Sequence, residues 1–132
     1  MRTHYLEGGQ LTTVVLVHGA DFGTSAALCW EPNLGPLAER FHVVAPDLVG
    51  YGKSAKVYSF DDSRRFRARH FEDFLRARCL APAWIIGNSA GASMGLELAA
   101  EARTAALVAG VVAVAGVGPN NEQSEGRRAL AD

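Results

Sequence analysis

Two hydrophobic patterns alternate along the chain. Short continuous apolar runs, the mark of strands buried on both faces, are separated by stretches with the 3.6-residue period of one-sided helices. Val14 to Val17 is a β-branched and leucine run ending in His18-Gly19, and it predicts a central strand. His42 to Pro46 predicts a second strand, closed by a glycine-rich loop from Asp47 to Ser54. Trp84-Ile85-Ile86 predicts a third and Leu107 to Val117 a fourth, while Thr3 to Leu6, ended by Gly8-Gly9, fits an edge strand. Between these runs, Pro36 to Arg40 carries Leu37 and Ala38 toward a core and predicts a short helix. Phe66, His70, Phe71, Phe74 and Leu75 fall on one side of an amphipathic helix. Small and apolar residues from Ala90 to Ala102 predict a further helix, one that packs closely.

Strands alternating with helices argue for an α/β fold with a mostly parallel sheet, right-handed crossovers placing helices on both faces. A length of 132 residues with 48% hydrophobic side chains suits one compact domain. Its core is expected over residues 1–118, followed by a polar tail over 119–132. In such sheets the site lies beyond the carboxyl ends of the strands. That singles out His18 to Gly23, Asp47 to Ser54, Gly87 to Gly91 and Gly116 to Asn120.

Charge narrows the classes of partner. Thirteen basic against 14 acidic side chains give a net charge of -1, with no electrostatic reason to expect nucleic acid or a membrane surface. The basic cluster from Arg64 to Arg69 lies between Asp61, Asp62 and Glu72 and reads as a solvated helix face. Cys29 and Cys79 form no CxxC pair and have no spacing suited to zinc, so free thiols in a reducing compartment are the simplest account. No run reaches the roughly 18 apolar residues of a membrane span, and the start has no signal-like apolar stretch. A cytoplasmic location is therefore expected.

Gly87-Asn88-Ser89-Ala90-Gly91 is a G-x-S-x-G motif between a predicted strand and a predicted helix. That is the setting of a nucleophile elbow, in which a strained serine sits between positions that tolerate little side chain. The helix N-terminus also aims free N–H groups at the serine oxygen. Ser89 is the candidate nucleophile, against the plainer reading of a tight turn. Gly52-Lys53-Ser54 invites a phosphate-loop reading. However, Asp47 stands where that loop needs its first glycine, and no helix follows Ser54. His18 has two readings: a general base, or a strand-end imidazole that fixes its loop by hydrogen bonds.

Taken together, His4-Tyr5-Leu6-Glu7, Val14 to Gly19, Trp30-Glu31-Pro32-Asn33, Val43 to Ser54 and Gly87-Asn88-Ser89 resemble the N-terminal half of the meta-cleavage-product hydrolases. These are α/β-hydrolases that split a carbon–carbon bond in ring-fission products of aromatic catabolism. The resemblance runs from about His4 to Gly118. It implies a sheet of order 2-4-3-5-6 in the family's strand numbering, with the lid and last strands missing from this chain. It also implies hydrolysis through an acyl-Ser89 intermediate, with the backbone N–H groups of Ala20 and Ala90 as the oxyanion hole. The pocket candidates are His18, Gly19, Asp21, Phe22, Cys29 and Asn88. No metal or organic cofactor is implied, and the substrate would be a small ester or diketone.

Several positions depart from that pattern. Asp21-Phe22 replaces a glycine-proline pair and adds a charge and a ring at the mouth of the site. Cys29 replaces a substrate-contacting asparagine whose hydrogen bonds a thiol cannot reproduce. Ala92 replaces a glycine and threatens to crowd the helix against its strand. Above all, the triad order of serine, acid, histidine finds no histidine after Ser89, because His4, His18, His42 and His70 all precede it. Glu122 is the downstream acid nearest the expected place. The expected enzyme is thus a serine hydrolase with little activity alone, with a catalytically dead fragment or a binding module using the old pocket as the alternative. The apolar strand 107–117 has no neighbour in sequence to cover its outer edge, which predicts a homodimer through that edge.

Overall fold

The computed structural model describes residues 1–116, so the far end of the predicted fourth strand and the tail with Glu122 lie outside the described residues. Five strands form one sheet: β1 (Tyr5–Gly8), β2 (Thr13–Val17), β3 (His42–Pro46), β4 (Ala83–Asn88) and β5 (Val108–Val114). Their order is β1-β3-β2-β4-β5, with β1 antiparallel to β3 and the other pairings parallel. This is the expected 2-4-3-5-6 when β1 is counted as the family's second strand.

The period-two pleat divides the central strands between two cores. Val15, Val17 and Ile85 face one side, where α2 (Ser63–Ala77) and α3 (Ala90–Ala100) supply Phe71, Phe74, Leu75, Met94 and Leu98. Val14 and Leu16 face the other, against Ala26 and Trp30 of α1 (Ala26–Ala38). Each fully buried residue of this size contributes about 1.5–3 kcal/mol of transfer free energy, which is why short apolar runs suffice to set the sheet.

Three sequence expectations are corrected. The short helix at Pro36 to Arg40 is the end of a much longer one, because α1 starts at Ala26 with Ser25 capping the N–H of Leu28 at 3.2 Å. Pro32, Gly35 and Pro36 are unfavourable inside a helix, yet Ala26, Cys29, Trp30, Leu34, Leu37 and Ala38 form one apolar stripe whose packing overrides them. The edge strand runs over Tyr5–Gly8 instead of starting at Thr3, since the register pairs Tyr5 with Pro46 and Gly8 with Val43. The fourth predicted strand begins one residue later, at Val108, after a 3-10 turn over Ala105–Leu107 that buries Leu107.

Candidate active site

Ser89 sits between the end of β4 and the first turn of α3, with φ at 53° and ψ at -116°. This is left-handed backbone for a residue with a Cβ, a strain of about 1–3 kcal/mol that packing on both sides must hold. The close approach explains the flanking glycines. A Cβ on Gly87 would collide with the backbone of Gly91 and Ala92, and one on Gly91 with the carbonyls of Val17 and His18. The Ser89 N–H is tied to the Val114 carbonyl at 2.8 Å, so β5 fixes the turn. Ser89 is exposed, and among the described residues its hydroxyl has no hydrogen-bond partner, not even as a cap of α3.

Gly19 closes one side of this turn, its Cβ position lying 3.4 Å from the Ser89 Cβ. Ala90, the first residue of α3, has an N–H with no intrahelical acceptor, as first-turn amides do. Ala20 follows Gly19, and its carbonyl accepts from the Tyr51 hydroxyl at 2.8 Å, which orients the peptide chain there. Asp21 and Phe22 are both exposed, Phe22 fully, and the Asp21 carbonyl turns the chain back by accepting from Thr24 N–H. Cys29 and Asn88 are brought together, the Asn88 amide donating to the Cys29 sulfur at 3.8 Å. Ala92 is fully buried without crowding β4; the close neighbour it acquires is Gly116, where a Cβ would strike the Ala92 methyl.

The structure decides between the two readings of His18. Its ring is completely buried; Nδ1 donates to the Gly19 carbonyl at 2.6 Å, and Nε2 accepts from the Leu48 N–H at 3.0 Å. An amide donor at Nε2 fixes the neutral Nδ1–H tautomer. Burial pushes the imidazole pKa down against the opposing influence of the Gly19 carbonyl and Asp47. No ring nitrogen is left to take a proton from Ser89, so His18 is a loop anchor.

The other histidines are committed elsewhere. His4 Nδ1 meets Asp47 Oδ2 at 2.8 Å, His42 bridges Glu7 and Thr13, and His70 Nε2 meets the Thr3 hydroxyl at 2.8 Å. Asp47, which the sequence places in the site region without a role of its own, is a structural hub. Its buried carboxylate accepts from Ala26 N–H and Lys53 N–H at 2.8 Å each and from His4, joining the start of α1, the 47–54 loop and the chain before β1. Burial works against its ionisation, but these donors prevail and hold the carboxyl below the usual range. Tyr51 lies in the 47–54 loop that the strand ends single out, but its individual part, the bond to the Ala20 carbonyl, is not signalled by the sequence. Among the described residues no three His, Cys, Asp or Glu side chains are gathered as a metal ion would require. No helix among them is long and apolar enough to cross a membrane.

A mostly parallel sheet with a strained serine on a strand-turn-helix and a glycine loop from the neighbouring strand against it defines an α/β hydrolase. The sequence profile of the Alpha/beta hydrolase family matches residues 14–132, and the chain belongs to that family. Among its relatives is 2-hydroxy-6-oxo-6-(2'-aminophenyl)hexa-2,4-dienoic acid hydrolase of Metapseudomonas resinovorans, 35% identical over 97 residues, covering 73% of this chain and 33% of the relative. A solved serine hydrolase involved in carbazole degradation superposes with a TM-score of 0.80 at 32% identity, over 98% of this chain and 50% of that one. The 2-hydroxy-6-oxo-6-phenylhexa-2,4-dienoate hydrolase of Rhodococcus sp. strain RHA1 gives 0.77 at 33% identity, over 90% and 44%. The chain thus spans about a third of the length of the curated relatives it matches and up to half of these solved ones.

Proposed function

We propose that this chain is the nucleophile-bearing portion of a serine hydrolase that cleaves a small diketone-type or ester substrate through Ser89. The observation that carries this reading is the exposed hydroxyl of Ser89, without a hydrogen-bond partner among the described residues, on backbone held at positive φ. In the proposed reaction the Ser89 oxygen bonds to the substrate carbonyl carbon and its proton passes to a base. The oxyanion rests on the N–H groups of Ala90 and Ala20. The carbon–carbon or ester bond then breaks, the leaving group takes up a proton, and water cleaves the acyl-serine. The relatives' names, hydrolases of 2-hydroxy-6-oxo-dienoates, favour the carbon–carbon substrate. Asn88 beside the nucleophile, with Cys29 against it, then forms part of the substrate wall.

All four histidines of the chain are hydrogen-bonded away from Ser89, so the activity of this chain alone is low and the base comes from polypeptide other than these residues. The same observation favours a second reading, a module that binds in the old pocket without turnover. A fluorophosphonate probe tests both: slow labelling that disappears in Ser89→Ala is expected. Labelling at rates ordinary for serine hydrolases would overturn the low activity. Saturable binding of a vinylogous diketone with no turnover, and no labelling at all, would replace the hydrolase by the binding module. Two accompanying proposals are a homodimer through the outer edge of β5 and a cytoplasmic location, the latter supported by the free thiols of Cys29 and Cys79.

A further inference from the structure

The face of α2 turned toward the N-terminal strand carries a combination that the hydrolase chemistry does not use. Phe66, Arg69, His70, Asp73, Phe74 and Ala77 follow the i, i+3, i+4 spacing of a single helix stripe. Opposite them stand Thr3 and Tyr5, and between the two lies a trough of about 590 Å³. That volume is within the roughly 300–1,000 Å³ of small-molecule sites.

Three features of the trough converge on one kind of ligand. Its walls are aromatic: Tyr5 and Phe74 pack at a centroid distance of 5.5 Å, and Phe66 is half-buried one turn before Arg69. Its free side-chain cation is Arg69, which has no acid partner among the described residues, and the N-terminal ammonium of Met1 adds a second positive charge at the His70 side. The other lining guanidinium, Arg78, is already held by Glu7 and stacked 4.7 Å over the Tyr5 ring. Finally, His70 lines the trough while nine-tenths buried, and its Nδ1 has no hydrogen-bond partner among the described residues, although Nε2 meets Thr3. A buried polar atom without a partner is a deficit that a ligand can remove. Asp73, one turn beyond Arg69, limits the anion to a single charge on the Arg69 side.

We propose that this trough is a binding site for a small aromatic carboxylate, its ring against Phe66, Phe74 and Tyr5 and its carboxylate on Arg69 beside His70. The site lies on the helix face of α2 and shares no residue with the Ser89 turn, so the proposal stands independently of the hydrolase reading. Benzoate is the probe, titrated into the full chain while backbone and side-chain NMR signals are followed. Saturable shifts of Phe66, Arg69 and His70 are expected, weakened about tenfold by Arg69→Gln, an exposed position whose replacement leaves the core intact. The same titration of Ser89→Ala should be unchanged. Shifts centred on Gly19 and Ser89, no saturation by about 10 mM, or equal affinity in Arg69→Gln would each overturn the proposal. So would inorganic phosphate binding as tightly as benzoate, because it would show a bare anion site without use of the aromatic walls.

Discussion

Leu48 donates its backbone N–H to Nε2 of His18 at 3.0 Å, a bond between the ends of two neighbouring parallel strands inside the core. It turns the strand-end histidine into a clasp for the 47–54 loop. Removing the ring in His18→Ala would leave the Leu48 N–H and the Gly19 carbonyl without these partners and open a void. We expect a loss of about 2–4 kcal/mol, read as a lower urea midpoint at unchanged slope. A variant with wild-type stability that has lost probe labelling would restore His18 as the base.

Ser89 is expected to behave oppositely. Its hydroxyl has no partner among the described residues, so Ser89→Ala keeps the strained backbone and changes stability by less than about 1 kcal/mol. Ser89→Gly removes the Cβ that makes φ of 53° costly and should stabilise by about 1 kcal/mol. The difference between the two midpoints measures the strain stored at the turn. If Ser89→Gly is no more stable than Ser89→Ala, the elbow carries no such strain.

How much of this was legible in the sequence follows from the range of the interactions involved. The strands of the sheet and the turn at Ser89 are written in contiguous residues, where apolar runs and the G-x-S-x-G spacing are local signals. Helix α1 is legible only at its Pro36 end, because the stripe through Ala26, Cys29 and Trp30 takes its meaning from packing on Val14, Leu16 and Val43, which is not a local signal. The Asp47 hub joins residues as far apart as His4 and Lys53, and the His18 clasp spans thirty positions, so neither leaves a pattern in any window of sequence. Cys29 and Asn88 could be named as pocket candidates, but their contact depends on where α1 begins.

Acid should unfold the chain in two stages. Burial lowers the His18 and His70 values in the folded state, opposed at His18 by the Gly19 carbonyl and at His70 by Asp73. The unfolded chain therefore binds more protons, and this stability is complete above about pH 6.5 and lost as pH falls through the folded values. Asp47 is lowered by its N–H donors and His4 despite burial, and Glu72 chiefly by Arg103 with Arg76 assisting. Their contribution is complete above the usual carboxylate range and lost as pH falls through the lowered values. Urea midpoints measured from about pH 8 to about pH 2 should fall from about pH 6.5 downward and again below the usual carboxylate range. They should fall less in that first stage in His70→Gln. A midpoint that rises on acidification would contradict both histidine assignments.

The outer edge of β5 bears on the state of association. β5 pairs with β4 on one side, and among the described residues no strand pairs with its other side. The face it shares with α1 is also uncovered, since α1 packs on the β1, β3 and β2 side, leaving Trp84, Val112 and Val114 at 44%, 46% and 47% exposure. Open N–H and C=O groups beside an apolar face form the type of edge that proteins cover or blunt with charge, proline or a bulge. β5 itself, Val-Ala-Gly-Val-Val-Ala-Val, has neither charge nor proline, and its one irregularity of pairing lies at the start, between the Ala83–Val108 and Trp84–Gly110 pairs, leaving Val111 to Val114 in unbroken register. Two copies pairing β5 antiparallel about a twofold axis would satisfy the backbone groups and bring the two Val112 side chains into the shared sheet. Light scattering at micromolar concentration should therefore give twice the 14.0 kDa of one chain. Val112→Lys, placing a charge in the middle of the edge, should return it to a single chain without unfolding it, as circular dichroism would verify. A wild-type chain that scatters as a monomer would sink the dimer.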